Sequence, residues 1–269
     1  MNIDELIKLT KNYINGADNK PSLEIDSYWA QGRTVYGGIT AALVYTAIKE
    51  KVSSDRVLRS FTCNFVGPLI PGQPFDIEVE VLRQGRNATH TVAKAMQDGK
   101  VCLLMQACFG VARQSKVRVD NNDMHNLSVP IKAKQLSQTS KTAPKFLQHF
   151  DLVTQQGDVP FSASDKSEIQ GWMKFSKAPA KLTDAHIIAL IDAWPPAVLQ
   201  MVHEPAPVST MSWNIEFIYP HHAFSATDWL AYKVHTRQAA DGYAHTEANI
   251  WDAQGQLIAI SRQTVMVFD

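Results

Sequence analysis

Polar and apolar residues alternate along three successive segments in the first half of the chain. These are "FDIEVEVL" (75–82), "ATHTVAKAM" (88–96) and "VCLLMQACF" (101–109), the last nearly unbroken in its apolar run. A period of two with Val and Thr enrichment predicts strands. "QDGK" (97–100) joins the second to the third as a tight hairpin, its glycine supplying the positive φ. "AQGQ" (253–256) does the same in the second half. Two segments have a helical, apolar character instead: roughly 38–50, "GITAALVYTAIKE", and roughly 184–194, with Thr183 or Asp184 as N-cap. A helix apolar around its whole circumference has to be buried on all sides.

The strand-rich segments repeat. Phe65-Val66-Gly67-Pro68 lies over Phe217-Ile218-Tyr219-Pro220 at an offset of 152, and Asp98-Gly99-Lys100 over Gln254-Gly255-Gln256 at an offset of 156. The four extra residues are expected in the turn around Ala239–Asp241. One apolar helix precedes each copy. "SLEIDSYWA" is expected to open the first sheet, and "KFLQHFDLVTQQ" and "SEIQGWMKFSKA" the second. A single helix followed by an antiparallel sheet that wraps it is the hot-dog arrangement. The expected fold class is therefore α+β, a double hot-dog of two tandem repeats. The first repeat spans 1–113, a polar linker 114–144 and the second repeat 145–269.

Composition narrows the function. Lys+Arg and Asp+Glu are both 26, which gives no electrostatic pull toward nucleic acid or an anionic membrane. The three cysteines, Cys63, Cys102 and Cys108, cannot all pair and none is in CxxC spacing, which reads as a reduced, cytoplasmic protein. No apolar run reaches the ~18 residues that a membrane span needs. The histidine pair His221-His222 lacks metal-ligand spacing and reads as a solvated loop.

The candidate chemistry begins with "HIIALIDAWPPAVLQMV" (186–202), where Asp192 interrupts an apolar stripe just before Pro195 and Pro196. Burying that carboxylate without partners would cost several kcal/mol, and the prolines forbid a regular continuation of the helix. Two readings stand side by side: Asp192 holds and deprotonates a water, or it bonds a nearby amide or Lys and only shapes the break. Gly37-Gly38 at the head of the first helix offers free amides to an oxyanion, or close helix–sheet packing. Trp194 reads as acyl-pocket wall or as core, and Arg86 in "QGRNATH" as a phosphate contact or a solvated hairpin cation.

Several of these stretches resemble the acyl-CoA thioesterase II family. "TVYGGITAALVYTA" is similar to its aromatic-Gly-Gly helix start, and "LRSFTCNFVGPLIPGQPFDIEVEVLRQGRN" to its strand, proline turn and LRxGR pattern. "DAWPPAVL", "STMSWNIEFIYP" and "SRQTVMVF" resemble its three site-bearing segments, and the similarity covers roughly 20–112 and 145–269. The resemblance implies that Asp192, Thr210 and Gln263 hold the hydrolytic water. It implies an acyl-CoA substrate and no metal or organic cofactor. The lack of a membrane-length apolar run predicts no membrane insertion, and exposed sheet edges with the interface habits of the fold predict a homo-oligomer. At the offsets above, these three positions fall on Thr40, Leu58 and Ala107 in the first half, so one site per chain is expected. Strict alternation along "TMSWNIEFIY" would turn Thr210 away from the apolar face, and a bulge at the strand start would restore it. Ile39 stands where the family usually has a polar residue. Competing readings are a hot-dog hydratase or dehydratase, which would need a His about five residues from the acid on the helix, and a non-catalytic acyl or acyl-CoA binding module.

Overall fold

The computed structural model describes residues 1–16, 21–121, 123–130 and 143–268. It divides into two units, each built on an antiparallel sheet. The first gathers the described residues of Met1–Asp120 with Pro144–Phe146 and Pro179–Ala189; the second gathers those of Asn121–Ala143, Leu147–Ala178 and Leu190–Asp269. This differs from a division at 114 and 145, because the head of the second apolar helix groups with the first unit.

In the first unit, α1 (Ile3–Asn15) is an amphipathic helix closed by a capping box between Asn2 and Glu5. Its buried side chains Ile3, Leu6 and Tyr13 serve the packing of α1 on α2 (Gly37–Lys49). Every residue of α2 from Gly38 to Ile48 is buried, as an all-round apolar helix requires. It packs on β4 (Asp76–Gln84), β5 (Ala88–Gln97) and β6 (Lys100–Gly110), and β3 (Val57–Phe65) completes the sheet in the order β4-β5-β6-β3. The β5–β6 hairpin turns on Asp98 and Gly99, both at positive φ (50° and 71°). "SLEIDSYWA" does not form the expected strand. Leu23 makes one bridge to Phe75, and Asp26 then accepts the Tyr28 amide (2.9 Å) and starts a turn of 3-10 helix. Only β1 (Ala30–Gln31) and β2 (Thr34–Val35) follow before α2.

In the second unit the strands are β7 (Phe150–Gln156), β8 (Glu168–Phe175), β9 (Val208–Phe217), β10 (Leu230–Ala240), β11 (Tyr243–Trp251) and β12 (Leu257–Val267). Their order is β9-β12-β11-β10-β8-β7. The outer face of this sheet carries Trp172, Ala231, Trp251 and Leu257, with Leu127 packed against them. The polar linker is therefore used as a cover over that face where it is described. Trp251 Nε1 donates to the Asp123 carbonyl (2.8 Å), and the His125 ring meets Trp172 and Trp251 edge-on, each at 5.3 Å.

The register carries the internal repeat further than the sequence did. β3 and β9 are bulged at Arg59 and Met211, 152 apart; β4 and β10 at Leu82 and Arg237, 155 apart; β6 and β12 at Cys102 and Ile258, 156 apart. Three of the four extra residues thus lie between β9 and β10 and one in the β11–β12 hairpin, not around Ala239–Asp241. Loops absorb them and the ladders keep their phase. All three cysteines are free thiols, Cys63 and Cys102 buried and Cys108 half-buried.

Candidate active site

The helix α3 (Asp184–Ile191) ends three residues earlier than its apolar run suggests. The Ala193 amide turns back to the Leu190 carbonyl (3.0 Å), and Pro195 and Pro196 supply no amide to continue the ladder. The Ala189 carbonyl is bonded from outside the helix, by the Tyr36 hydroxyl at 2.7 Å. Asp192 is thereby the first residue past the helix, in the turn, and half-buried rather than enclosed.

The Gln263 amide Nε2 donates to Asp192 Oδ1 at 2.8 Å, and the Thr210 hydroxyl donates to Gln263 Oε1 at 3.3 Å. The direction of this relay follows from chemistry. A carboxylate only accepts, so the NH2 end of Gln263 must face Asp192, and its oxygen is left for Thr210. Thr210 reaches this place because of the bulge at Met211. Beyond it Thr210 pairs with Val265, two residues from Gln263 and on the same face, while Met211 is pushed out and 39% exposed. The structure thus brings Asp192, Thr210 and Gln263 together.

Two further side chains border the relay that the sequence reading passed over. Tyr232 is buried, and that burial, with the Asp192 charge adding to it, holds its phenol well above the ordinary tyrosine range. Ser261 accepts the Trp213 indole N–H at 2.8 Å. Tyr232 looked like one more member of an apolar alternation. Ser261 carried a signal, since at the 156 offset it stands where the first half has Met105. Together with Ile191, Trp194, Thr246 and Gln263 these residues border a cavity of about 10 Å³, space for about one water. Trp194 stacks on Tyr232 (centroids 5.4 Å apart, 8° between planes), and its indole N–H is buried without a partner among the described residues. Gly171 makes room for it: a Cβ there would lie 2.8 Å from the Trp194 ring edge and 2.2 Å from the Val153 carbonyl. Trp194 is therefore both core and cavity wall.

The remaining expected contacts lie in the first unit. Gly37 and Gly38 open α2, and a Cβ on Gly38 would lie 2.5 Å from the Tyr36 hydroxyl and 2.6 Å from its ring, so Gly38 serves close packing. Ile39 is fully buried. Arg86 is exposed on the β4–β5 hairpin. Among the described residues no group of three or more His, Cys, Asp or Glu side chains could hold a metal ion, and no helix is long and apolar enough to cross a membrane.

Residues 25–110 match the acyl-CoA thioesterase N-terminal domain, and residues 130–267 match the acyl-CoA thioesterase C-terminal domain. The chain belongs to the acyl-CoA thioesterase family. Among curated proteins, this thioesterase is 25% identical to acyl-CoA thioesterase 2 of Haemophilus influenzae over 258 residues, covering 87% of this chain and 88% of that one. It is 30% identical to human acyl-coenzyme A thioesterase 8 over 103 residues, 38% of this chain and 30% of that one. The fold is shared with a hot-dog protein of unknown function from Alicyclobacillus acidocaldarius (TM-score 0.79, 21% identity, 97% and 98% coverage). It is shared too with an acyl-CoA thioesterase II from Mycobacterium marinum (TM-score 0.69, 19% identity, 88% and 90% coverage). This α+β hot-dog chain is a thioester hydrolase by family.

Proposed function

We propose that this thioesterase hydrolyses acyl-CoA to free CoA and a carboxylic acid with a water held by Asp192, Thr210 and Gln263. The observation that carries the reading is the Thr210–Gln263–Asp192 relay, whose amide borders a cavity the size of one water. Asp192 takes one proton of the water as its oxygen attacks the thioester carbonyl carbon. The C–S bond then breaks, the sulfur leaves with the bonding pair, and the proton held by Asp192 goes to it. Gln263 holds the carboxylate in a fixed orientation through a hydrogen bond to its Oδ1. Thr210 keeps the Gln263 amide from turning over. The wall of Trp194 and Tyr232 excludes bulk solvent, which strengthens each of these interactions.

The two units are read as two hot-dog repeats joined by the segment 114–144, each helix serving as the centre of its repeat. The shared bulge positions support this, together with one apolar helix ahead of each set of strands. The roles of Gly37 and Gly38 as oxyanion donors and of Arg86 as a phosphate contact rest on the family resemblance and on residue chemistry. So does assembly as a homo-oligomer, which light scattering on the purified chain measures directly.

Thiol release from a panel of acyl-CoAs differing in chain length tests the reaction. Release above the uncatalysed rate, with free acid formed in equal amount, is expected. Binding of acyl-CoA without release would replace hydrolysis by a binding role.

A further inference from the structure

Three of the buried tyrosines direct their hydroxyls at protein acceptors. Tyr13 donates to Asp76 Oδ1 (2.9 Å), Tyr36 to the Ala189 carbonyl (2.7 Å) and Tyr45 to Asp184 Oδ2 (3.0 Å). Tyr232 is the exception. It is 7% exposed, and its hydroxyl makes no hydrogen bond among the described residues. Buried polar groups are as a rule paired, so a phenol left unpaired calls for a reason. Packing does not supply one. Ile77 holds the equivalent place in the first unit's sheet and is buried there, so an aliphatic side chain fills such a position.

Tyr232 borders the one-water cavity together with Trp194, Thr246, Ser261 and Gln263. Several hydrogens there have no acceptor among the described residues. Ser261 Oγ already accepts the Trp213 N–H, which leaves its own O–H to donate. Gln263 gives one Nε2 hydrogen to Asp192 and keeps the other. No carboxylate lines the cavity. A space walled by fixed donors and lacking a negative charge suits an oxygen on which charge develops. The Tyr232 ring is held by its stack on Trp194 (5.4 Å, 8°), so no reorganisation is needed as that charge appears. Burial, with the Asp192 charge adding to it, keeps the phenol protonated, which leaves it a hydrogen-bond donor and not a base.

We propose that Tyr232 is a further catalytic residue, whose hydroxyl donates to the thioester oxygen as it becomes an oxyanion. The role rests on hydrolysis by the water that Asp192 activates. When the water oxygen bonds to the carbonyl carbon, the π pair moves onto the carbonyl oxygen. Tyr232 stabilises that charge through a hydrogen bond and keeps its own proton. When the C=O bond re-forms, the C–S bond breaks, and the sulfur leaves with its pair and takes the proton from Asp192. The attacking oxygen and the carbonyl oxygen end on the same carbon, so a donor beside the water's place stands beside the oxyanion as well.

Thiol release by the full chain carrying Tyr232→Phe tests the role. Removing one oxygen that bonds no protein group should leave circular dichroism and the urea midpoint at the parent's values. The kcat should fall about a hundredfold to a thousandfold, the scale of one lost oxyanion donor, with KM near the parent's. Two inhibitors separate chemistry from shape: the trifluoromethyl ketone analogue of acyl-CoA, whose hydrated carbonyl imitates the tetrahedral intermediate, and the thioether analogue, which lacks the oxygen. The variant should lose affinity for the ketone by a factor close to its loss in kcat/KM and keep its affinity for the thioether. Parent-like kcat, or an equal loss for both inhibitors, overturns the proposal. A parent chain that releases no thiol overturns the hydrolytic reading and this role with it, whereas an active parent matched by the variant overturns the role of Tyr232 alone.

Discussion

The strand pair β3–β6 of the first unit and the pair β9–β12 of the second have the same register and the same bulge, yet they present opposite surfaces to their cores. Where the first has Leu58, Met105 and Ala107, all buried and apolar, the second has Thr210, Ser261 and Gln263. The same offset that equates the bulges of β4 and β10 sets Tyr232 where the first unit has Ile77. Asp192 falls on Thr40, whose hydroxyl bonds back to the Tyr36 carbonyl within its own helix (3.2 Å). The scaffold therefore does not dictate a site. A handful of polar side chains at inward positions, joined by hydrogen bonds, separates a polar floor from an apolar one.

The comparison breaks most sharply at Asp192. Asp192→Asn keeps the shape and removes the proton acceptor, and kcat is expected to fall by about a hundredfold to ten-thousandfold. Circular dichroism should be unchanged, and near-normal turnover would show that the second unit's polarity is decoration. Gln263→Ala installs the first unit's residue at this position. It removes the hydrogen bond to Asp192 Oδ1, and kcat should drop by about tenfold to a hundredfold, the scale of a charge-assisted bond. The reverse exchange sharpens the same point. Ala107→Gln puts an amide into a position 1% exposed, between Phe61 and Thr91 on the neighbouring strands. It should cost about 1–3 kcal/mol in urea unfolding and add no activity.

The smallest expected effect concerns His186 at the head of α3. Its Nδ1 meets the Thr183 hydroxyl (2.8 Å), and its Nε2–H donates to Asp4 Oδ1 (3.2 Å). Burial lowers its pKa, outweighing the opposite pull of Asp4. Although Asp4 lies at ion-pair distance, the buried ring favours the neutral form. The folded value lies below the ordinary ~6.5, so in between the unfolded chain binds the extra proton. Stability is then full above ~6.5 and is lost as pH falls through the folded value. His125 and His235 are shifted in the same direction, also chiefly by burial. Thermal unfolding of His186→Gln against the parent, at neutral pH and about pH 5, should show a shallower acid decline in the variant.

Much of this was legible in the chain itself. The period of two, the glycine turns and the two all-apolar helices give the strands and the buried α2, since those signals are local and strong. Asp192 stands out because a charge on an apolar stripe conflicts with its surroundings. The limits have equally physical sources. The bulge at Met211 is a property of pairing between strands, so alternation along one strand turned Thr210 the wrong way. The donor to the Ala189 carbonyl near the helix end is the Tyr36 hydroxyl, which arrives from 153 positions earlier in the chain. Tyr232 looked apolar because only its neighbour Asp192 reveals its polar end. The strand expected at "SLEIDSYWA" gave way to the cap that Asp26 makes on Tyr28.

The extra residue at 59 and at 211 has a last consequence, for anyone editing these strands. It works as a change of parity: downstream, even and odd positions keep one assignment of inside and outside, and upstream they exchange it. Removing that residue, or inserting one ahead of it, would turn a greasy lining outward and a soluble exterior inward across the strand's start in a single genetic event. Tolerance to insertions and deletions should therefore collapse in these two short windows, while the turns a few residues away accept them.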